Sequence, residues 1–344
     1  MTFDGGGYCS ATMTSQSWTV HARLNLARPH VHTGTDGVCK IDANRFGFSV
    51  GGDALEERYV ALSPISTAET LAANGVELLN IREELNAEGI TEESFDVNSR
   101  AHKLTVGRVL MAAAQQRFGP HKRIVHLGDT SRVSGRAGYG EPTVRDTGST
   151  TGARNAHYAA HVDKFLPGIA ACAGLAGARA GAERFVSEYW RINGPDWEHE
   201  GLSMEEVAYS LVADTTAAVN IWVALTPGGV EQAPLAIADT STLTLGDGSL
   251  ATVPVNFTIP PGTSNVVLSD TLTLLRAEGV DEGVRWLWRP HMAFGECLLF
   301  STTATPHTAV WLEGQPCARR VSAEIRLLVL DRQAGGDSAS EELA

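Results

Sequence analysis

The second half of the sequence alternates short hydrophobic runs with turn-forming residues. From about Arg184 onward, runs rich in β-branched and aromatic residues are separated by turns such as Asn193-Gly194-Pro195 and Gly246-Asp247-Gly248. The runs are FVSEYWRI, VNIWVAL, APLAIAD, ATVPVNFTI, NVVLSDTLTLL, ECLLFSTT, HTAVWL and RVSAEIRLLVL. Many short strands joined by Gly/Pro turns are typical of a sandwich or barrel. This half of the chain therefore predicts a mainly β core.

The first third of the chain shows helical spacing instead. Apolar residues recur at helical intervals between Ser66 and about Asn86, with Ser66 or Thr67 as the N-cap. These apolar residues are Leu71, Val76, Leu78, Leu79 and Ile81. Thr91, followed by two glutamates, indicates another helix start, and the stretch 101–118, closed by Gly119-Pro120, predicts a long helix. Residues 1–50 have weak periodicity and predict an irregular extension or a few short strands.

Together these patterns predict one domain of the α+β class, in which flanking helices brace a double-stranded β-helix (a cupin-like jelly roll). Residues 1–180 form a helical or irregular part that packs on the core. Residues 181–331 form the jelly-roll core with a metal site, and residues 332–344, which are small and polar, form a disordered tail.

Composition and charge narrow the functional classes. The chain has 344 residues, of which 43% are hydrophobic and 19% charged, as in ordinary globular proteins. A net charge of −13 argues against a partner that is a nucleic acid polymer. No apolar run is long enough to span a membrane, and the segment MTFDGGGYCS lacks a secretory pattern, so a cytoplasmic protein is expected. The scattered Cys residues indicate reduced thiols.

A basic segment between Arg117 and Arg154 contrasts with this acidic background. It is rich in Arg, Gly, Ser and Thr. One interpretation is a solvated surface loop. The other is an anion site, because arginine forks and a glycine-rich backbone suit phosphate or carboxylate groups. Under the second interpretation, Arg132, Arg136 and Arg145 are the candidate substrate-binding residues.

The strongest candidate chemistry lies near the C-terminus. A jelly roll can hold Fe(II) at its mouth with two histidines and one carboxylate, which leaves positions open for co-substrates. The segment Gly295–Phe300 predicts a turn into a buried strand, and His307 and Arg320 follow on two further strands that would meet at that mouth. An arginine there can bind a carboxylate bidentately. His291 is a rival metal ligand, but no comparable arginine-bearing strand accompanies it.

These residues carry a family resemblance. GECLLF…TPHTA…RRVSAEIRL resembles the C-terminal signature of the phytanoyl-CoA dioxygenase-like enzymes, and the segment from Trp222 to Ile237 is similar to that family's W-I-A-L…N-G-P-L-W-V. Its usual P-G-S-H is replaced here by Ala238-Asp239-Thr240-Ser241. The resemblance implies Fe(II), 2-oxoglutarate and O₂, with His307 as a metal ligand. It further implies that Arg320 binds 2-oxoglutarate, with Trp222, Asn220 and Arg326 around that co-substrate.

The second metal ligand has two candidates. In one interpretation the carboxylate is Asp214, but Val212 stands where the family has histidine. In the other, His199-Glu200-Gly201 is the motif, with Gly201 at the carboxylate position. The second interpretation fits better, and the H-x-G motif resembles the corresponding motif of the halogenases in this superfamily. It implies that His199 and His307 bind iron while chloride occupies the position that Gly201 leaves open.

The resulting hypothesis is a non-haem Fe(II)/2-oxoglutarate-dependent halogenase that chlorinates an aliphatic C–H bond of a small metabolite. A phosphorylated substrate, such as a deoxyadenosine phosphate in antibiotic biosynthesis, is preferred to a substrate attached to a carrier protein, because the basic segment could bind a phosphate. The alternatives are a hydroxylase with the same cofactors and a non-catalytic jelly-roll binding protein.

Overall fold

The computed structural model of the protein describes residues 20–27, 39–44, 47–49, 55–134, 160–163, 215–243, 252–258, 267–275, 283–313 and 319–331. Within these ranges the chain forms short strands and a few helices. The strands are β1 (Val20–Ala27), β2 (Cys39–Asn44), β3 (Gly47–Ser49), β4 (Leu55–Pro64), β5 (Val76–Asn80), β6 (Lys122–Ser134), β7 (His161–Asp163), β8 (Thr215–Ala224), β9 (Leu235–Ala238), β10 (Thr252–Thr258), β11 (Val267–Leu275), β12 (Trp286–Trp288), β13 (Glu296–Ser301), β14 (His307–Ala309), β15 (Trp311–Leu312) and β16 (Arg320–Asp331). The helices are α1 (Leu71–Asn74), α2 (Arg82–Ala87) and α3 (Arg100–Phe118), with a 3₁₀ turn at Thr240–Thr242.

The strands form two sheets. The larger has the order β15-β1-β4-β12-β9-β14-β7-β11-β10-β2-β3, and the smaller has the order β5-β13-β8-β16-β6. The structure confirms a mainly β, jelly-roll-like fold with few helices. Strands from before and after residue 180 pair directly in both sheets, as β14 does with β7 and β16 with β6. The first part of the chain thus contributes strands to the sheets as well as helices.

The smaller sheet has two differently buried faces because side chains alternate along a strand. On β8, Val219, Ile221 and Val223 pack in the core beneath α3. Trp222 and Ala224 face the other way and pack with residues of the larger sheet, such as Ile237. The space between the two sheets is therefore a second core. On β8, the side chains at even-numbered positions, such as Trp222, project into it.

Helix α3 covers the outer face of the smaller sheet. Ser99 caps it, since the Ser99 hydroxyl accepts a hydrogen bond from the backbone N–H of His102, and the helix ends at Gly119. Val106, Val109, Leu110 and Ala114 form its buried side. The prediction of a helix over 101–118 is confirmed. No helix in the described ranges is long and apolar enough to cross a membrane.

The helix predicted between Ser66 and Asn86 is wrong. Thr70 caps the short helix α1, and Gly75 ends it with a φ of 74°. The next residues form β5, which pairs with β13 from Val76 opposite Phe300 to Asn80 opposite Glu296. Pairing with a buried strand overrides the helical spacing of these apolar residues. The helix start at Thr91 is also wrong, because that segment is a turn and α3 begins at Arg100.

Part of the basic segment forms a strand. Its residues 122–134 form β6, the edge strand that pairs with β16 along its length. A long antiparallel partner satisfies the backbone N–H and C=O groups that a loop would leave to water. Arg117 at the end of α3 forms an ion pair with Glu77, with Nε 2.7 Å from Oε1.

Candidate metal centre

Two neighbouring strands of the larger sheet bring together three residues suited to bind a metal. His161 and Asp163 stand two residues apart on β7 and so face the same side of the sheet. On the adjacent strand β14, His307 lies directly opposite His161. One candidate ligand atom from each residue lies within 4.8 Å of the other two. All three side chains are buried, with exposed fractions of 5%, 3% and 2% for His161, Asp163 and His307.

The orientation of the His307 side chain is fixed by the residues just before β14. Nδ1 of His307 lies 3.1 Å from the carbonyl oxygen of Thr305. A carbonyl only accepts hydrogen bonds, so Nδ1 carries the hydrogen and Nε2 keeps its lone pair for a metal. The Thr305 hydroxyl in turn donates to the carbonyl of Gly75 at 3.1 Å, which ties this segment to the start of β5. The ring of Phe300 packs 4.7 Å from the imidazole, measured between centroids.

The carboxylate of Asp163 is held from the smaller sheet. Nδ2 of Asn220 on β8 donates to its Oδ2 at 3.1 Å, and Nε of Arg326 on β16 donates to the same oxygen at 3.2 Å. Burial raises the pKa of Asp163, but the charge of Arg326 beside it and the hydrogen bond from Asn220 outweigh that effect. The pKa of this carboxyl therefore lies well below its usual range, and Asp163 is ionised at neutral pH.

The chemistry of these donors fits Fe(II). Two imidazoles and one carboxylate on one side of a site form the 2-His-1-carboxylate facial triad, which leaves coordination positions open on the opposite side. The set lacks the thiolates of structural zinc sites and the many oxygen ligands that Ca²⁺ prefers. His161, Asp163 and His307 would hold the metal.

A second polar feature runs along the inner face of β16. Arg320, Ser322, Glu324 and Arg326 alternate there with Val321, Ala323 and Ile325, which belong to the core beneath α3. A rise of about 3.3 Å per residue separates the Cα atoms of Arg320 and Arg326 by roughly 20 Å. The two arginines therefore act at different places, with Arg326 at the triad and Arg320 further along the strand.

The residues around Arg320 suit a carboxylate ligand. The guanidinium, 2% exposed as a residue, lies 5.2 Å from the ring centroid of Trp222 and donates through Nη1 to the carbonyl of Ala233. Ser322, two residues along the same face, has a buried hydroxyl for which the described part of the chain supplies no hydrogen-bond partner. A buried hydroxyl normally has a partner. A bound carboxylate would supply this partner, so Arg320 and Ser322 are placed to bind the same carboxylate group.

The structure brings several of the predicted site residues together. His307 lies in the triad, and Trp222 lies against Arg320. Asn220 and Arg326 contact Asp163. The roles of these residues in binding 2-oxoglutarate stay predictions. The rival ligand His291 is exposed in a turn with a φ of 46°.

Other predicted residues lie outside the described ranges. These are His199, Gly201, Arg136 and Arg145, together with Asp214. Arg132 lies on β6, where its backbone pairs with Ser322 of β16. The roles of all these residues stay predictions.

His161 and Asp163 were not predicted from the sequence. His161-Val162-Asp163 is an H-x-D motif, the pattern expected for a proximal histidine and carboxylate. Asp163 precedes Asn220, on the strand that contains Trp222, by 57 residues, so the motif is distant in sequence from the residues that carry the family resemblance. Because of this long separation, the motif was not connected with the strand that contains Trp222.

The segment that replaces P-G-S-H has a structural role. Asp239, fully buried, accepts hydrogen bonds from the N–H of Ser241 at 3.0 Å and from Nδ2 of Asn74 at 3.1 Å. Its other oxygen accepts from Nε of Arg285 at 2.8 Å. Asp239 thereby joins β9, α1 and the start of β12.

The chain is similar in fold to solved structures of an iron enzyme. No protein-family model matches the sequence, and no curated protein matches it. One structure of the iron and alpha-ketoglutarate-dependent endoperoxidase NvfI, in a different conformation, matches with a TM-score of 0.58 and 14% identity, covering 92% of this chain and 99% of that one. A second NvfI structure matches with a TM-score of 0.56 and 14% identity, covering 90% and 97%. At 14% identity this likeness shows a shared fold.

Proposed function

We propose that this protein is a non-haem Fe(II)/2-oxoglutarate-dependent oxygenase that oxidises a small molecule. The observation that carries the proposal is the buried cluster of His161, Asp163 and His307, whose ligand atoms lie within 4.8 Å of one another. The fold shared with an iron and alpha-ketoglutarate-dependent enzyme supports it. A non-catalytic binding protein, the alternative from the sequence, would be favoured if no histidine accompanied a metal-binding carboxylate, whereas His161 lies beside Asp163.

In this proposal, each group of site residues has a defined role. Fe(II), when bound with 2-oxoglutarate, supplies the activation of O₂ and the oxidation of a substrate C–H bond. His161, Asp163 and His307 would hold the metal from one side, which leaves the other side for co-substrates. Arg320 and Ser322 would bind the distal carboxylate of 2-oxoglutarate, because a guanidinium and a hydroxyl can both donate to it. Trp222 supports the Arg320 guanidinium through a cation–π contact.

Asp163 favours oxygen transfer over halogenation. The predicted halogenase activity depended on Gly201, which leaves a coordination position open for chloride. In the triad that carries our proposal, the ionised Asp163 carboxylate would take that position and supply its negative charge. Chlorination stays a prediction that depends on residues 199–201, which lie outside the described ranges.

The substrate class also stays a prediction. A phosphorylated small molecule was predicted from Arg132, Arg136 and Arg145, and a carrier-bound substrate was the less favoured option. Charge reversal at these arginines is expected to raise KM for a phosphorylated substrate by about tenfold or more, since each lost charge-assisted hydrogen bond costs roughly 1.5–3 kcal/mol. An unchanged KM would exclude the phosphate site.

The proposed activity is tested by succinate formation from 2-oxoglutarate with Fe(II) and O₂. Wild-type protein is compared with Asp163→Ala and with His291→Ala, the latter removing an exposed histidine outside the triad. We expect succinate from wild type and His291→Ala and none above background from Asp163→Ala. Succinate from Asp163→Ala at the wild-type rate would refute the triad. Repeating the assay with chloride and the candidate substrates, with mass analysis of the products, separates oxygenation from chlorination.

A further inference from the structure

The carboxylate of Asp163 is contacted by a hydrogen-bond network that belongs to the opposite sheet. Its contacts come from β8 and β16 of the smaller sheet, whereas Asp163 and the two histidines belong to the larger sheet. The network members beyond Asp163 are Asn220, Thr302, Glu324 and Arg326. All of them lie in the core between the sheets or at its border, where water competes little for their hydrogen bonds.

Arg326 stands between two buried carboxylates. Its Nε lies 3.2 Å from Oδ2 of Asp163, and its Nη2 lies 3.1 Å from Oε1 of Glu324. The side chains of Asp163 and Glu324 are only 5% and 6% exposed, and that of Arg326 is 14% exposed. A rigid guanidinium can serve two acceptors in this way, whereas an ammonium group is a single point charge. Glu324 thus fixes the arginine that contacts Asp163.

Asn220 has its amide orientation set by Thr302. The Thr302 hydroxyl donates to Oδ1 of Asn220 at 2.7 Å. The amide nitrogen therefore points away from Thr302, towards Oδ2 of Asp163 at 3.1 Å and Oε1 of Glu324 at 3.4 Å. A flipped amide would place its carbonyl oxygen against the Asp163 carboxylate, which is unfavourable.

We infer that Arg326 and Asn220 are positioning residues that bind Oδ2 of Asp163 and so present Oδ1 alone to the metal. The inference rests on the proposed function and assigns to Arg326 a role apart from 2-oxoglutarate binding. Two donors on Oδ2 favour a carboxylate that binds the metal through one oxygen, which leaves a coordination position that a bidentate carboxylate would fill. Glu324 and Thr302 act one contact further out, by holding Arg326 and Asn220.

Co(II) is the probe for this inference, because its visible absorption reports coordination number as well as binding. Titrations compare wild type with Arg326→Met and with Arg289→Met. The second variant is the matched control, since Arg289 also forms a part-buried ion pair, with Glu296 at 2.7 Å, and within the described residues the side-chain donors to Asp163 are Asn220 and Arg326 instead. We expect Arg326→Met to bind Co(II) about 10- to 100-fold more weakly with an altered absorption spectrum, as for other residues that orient metal ligands. Arg289→Met should match wild type.

The outcomes separate the inference from the proposed function. Wild-type affinity and spectrum in Arg326→Met would overturn the inference and leave the proposed function standing. Failure of wild type to bind Co(II) would refute the proposed metal centre itself. Should Arg326→Met not fold, Thr302→Val decides, because it removes one hydroxyl and keeps the side-chain shape. It should weaken Co(II) binding about 3- to 10-fold, and unchanged binding would overturn the inference.

Discussion

His161 and His307 face each other across two antiparallel neighbouring strands, with ring centroids 4.3 Å apart. Strand pairing places residues that are distant in sequence side by side, and their position on the inner face buries both rings. The two imidazoles and the Asp163 carboxylate thus present three buried ligand atoms within 4.8 Å of one another. This arrangement is what a metal ion bound from one side requires.

Arg320 is expected to control the affinity for 2-oxoglutarate. Arg320→Ala should raise KM for 2-oxoglutarate by about 10- to 100-fold, since a charge-assisted hydrogen bond contributes roughly 1.5–3 kcal/mol. Binding of metal alone should be unchanged, because Arg320 lies away from the triad along β16. Steady-state kinetics and Co(II) titration measure the two effects separately.

Ser322→Ala should have a smaller effect on 2-oxoglutarate affinity than Arg320→Ala. Loss of a single hydroxyl should raise KM for 2-oxoglutarate several-fold. If both variants kept the wild-type KM, the co-substrate would not be bound at this end of β16.

Gly75 is expected to be intolerant of a side chain. A Cβ at this position would lie 2.5 Å from Cγ2 of Thr240 and 2.7 Å from Oγ1 of Thr305, and the backbone φ is +74°. Gly75→Ala should lower the free energy of unfolding by about 1–3 kcal/mol through strain and overlap. It should also weaken metal binding, because displacement of Thr305 disturbs the carbonyl that orients His307.

Gly89→Ala is the control for Gly75→Ala, since Gly89 also has a positive φ but nothing lies within 4 Å of the added Cβ. Denaturant unfolding and Co(II) titration of both variants make the comparison. Equal effects on Co(II) binding in the two variants would show that Thr305 does not transmit the change to His307.

The pH dependence of stability should include a contribution from Asp239. Burial raises the pKa of Asp239, but hydrogen bonds from Ser241, Arg285 and Asn74 outweigh it, so the pKa lies below its usual value of 3.8. A lowered carboxyl pKa adds stability that is fully present above about pH 4 and lost as the pH falls through the folded-state value. Asp239→Asn should therefore cost about 1–3 kcal/mol at pH 7 and progressively less below pH 4.

Urea unfolding of wild type and Asp239→Asn across this pH range measures the difference. Glu56→Gln, which alters an ion pair with the exposed Arg58, serves as the surface control and should cost under about 1 kcal/mol at any pH. A constant difference between Asp239→Asn and wild type from pH 7 to pH 3 would contradict the assigned role of the Asp239 charge.

Much of the fold was predictable because local patterns and tertiary structure agree. The hydrophobic runs that contain Trp222, Phe300 and Ile325 form strands as predicted, and α3 has both its cap and its terminating glycine in the sequence. Strand β5 was not predictable, because its apolar residues also suit a helix. Its identity is decided by β13, a partner far away in the chain.

The residues of the candidate site also differ in whether they could be predicted from the sequence. His307 and Arg320 stand in a recognisable C-terminal pattern and could be found from sequence. Asp163 was missed because its partners, Asn220 and Arg326, are brought to it only by packing of the two sheets. Nothing in the local sequence around Val162 distinguishes a metal-binding H-x-D motif from a chance one.

Anaerobic reconstitution with Fe(II) and 2-oxoglutarate tests the central claim most directly. The visible charge-transfer band of the iron–oxoglutarate complex is recorded for wild type, His161→Ala, His307→Ala and His199→Ala. A triad of His161, Asp163 and His307 predicts a band at one iron per chain that both His161→Ala and His307→Ala lose and His199→Ala keeps. A band that survives in His161→Ala and disappears in His199→Ala would contradict this triad and restore the H-x-G site of a halogenase.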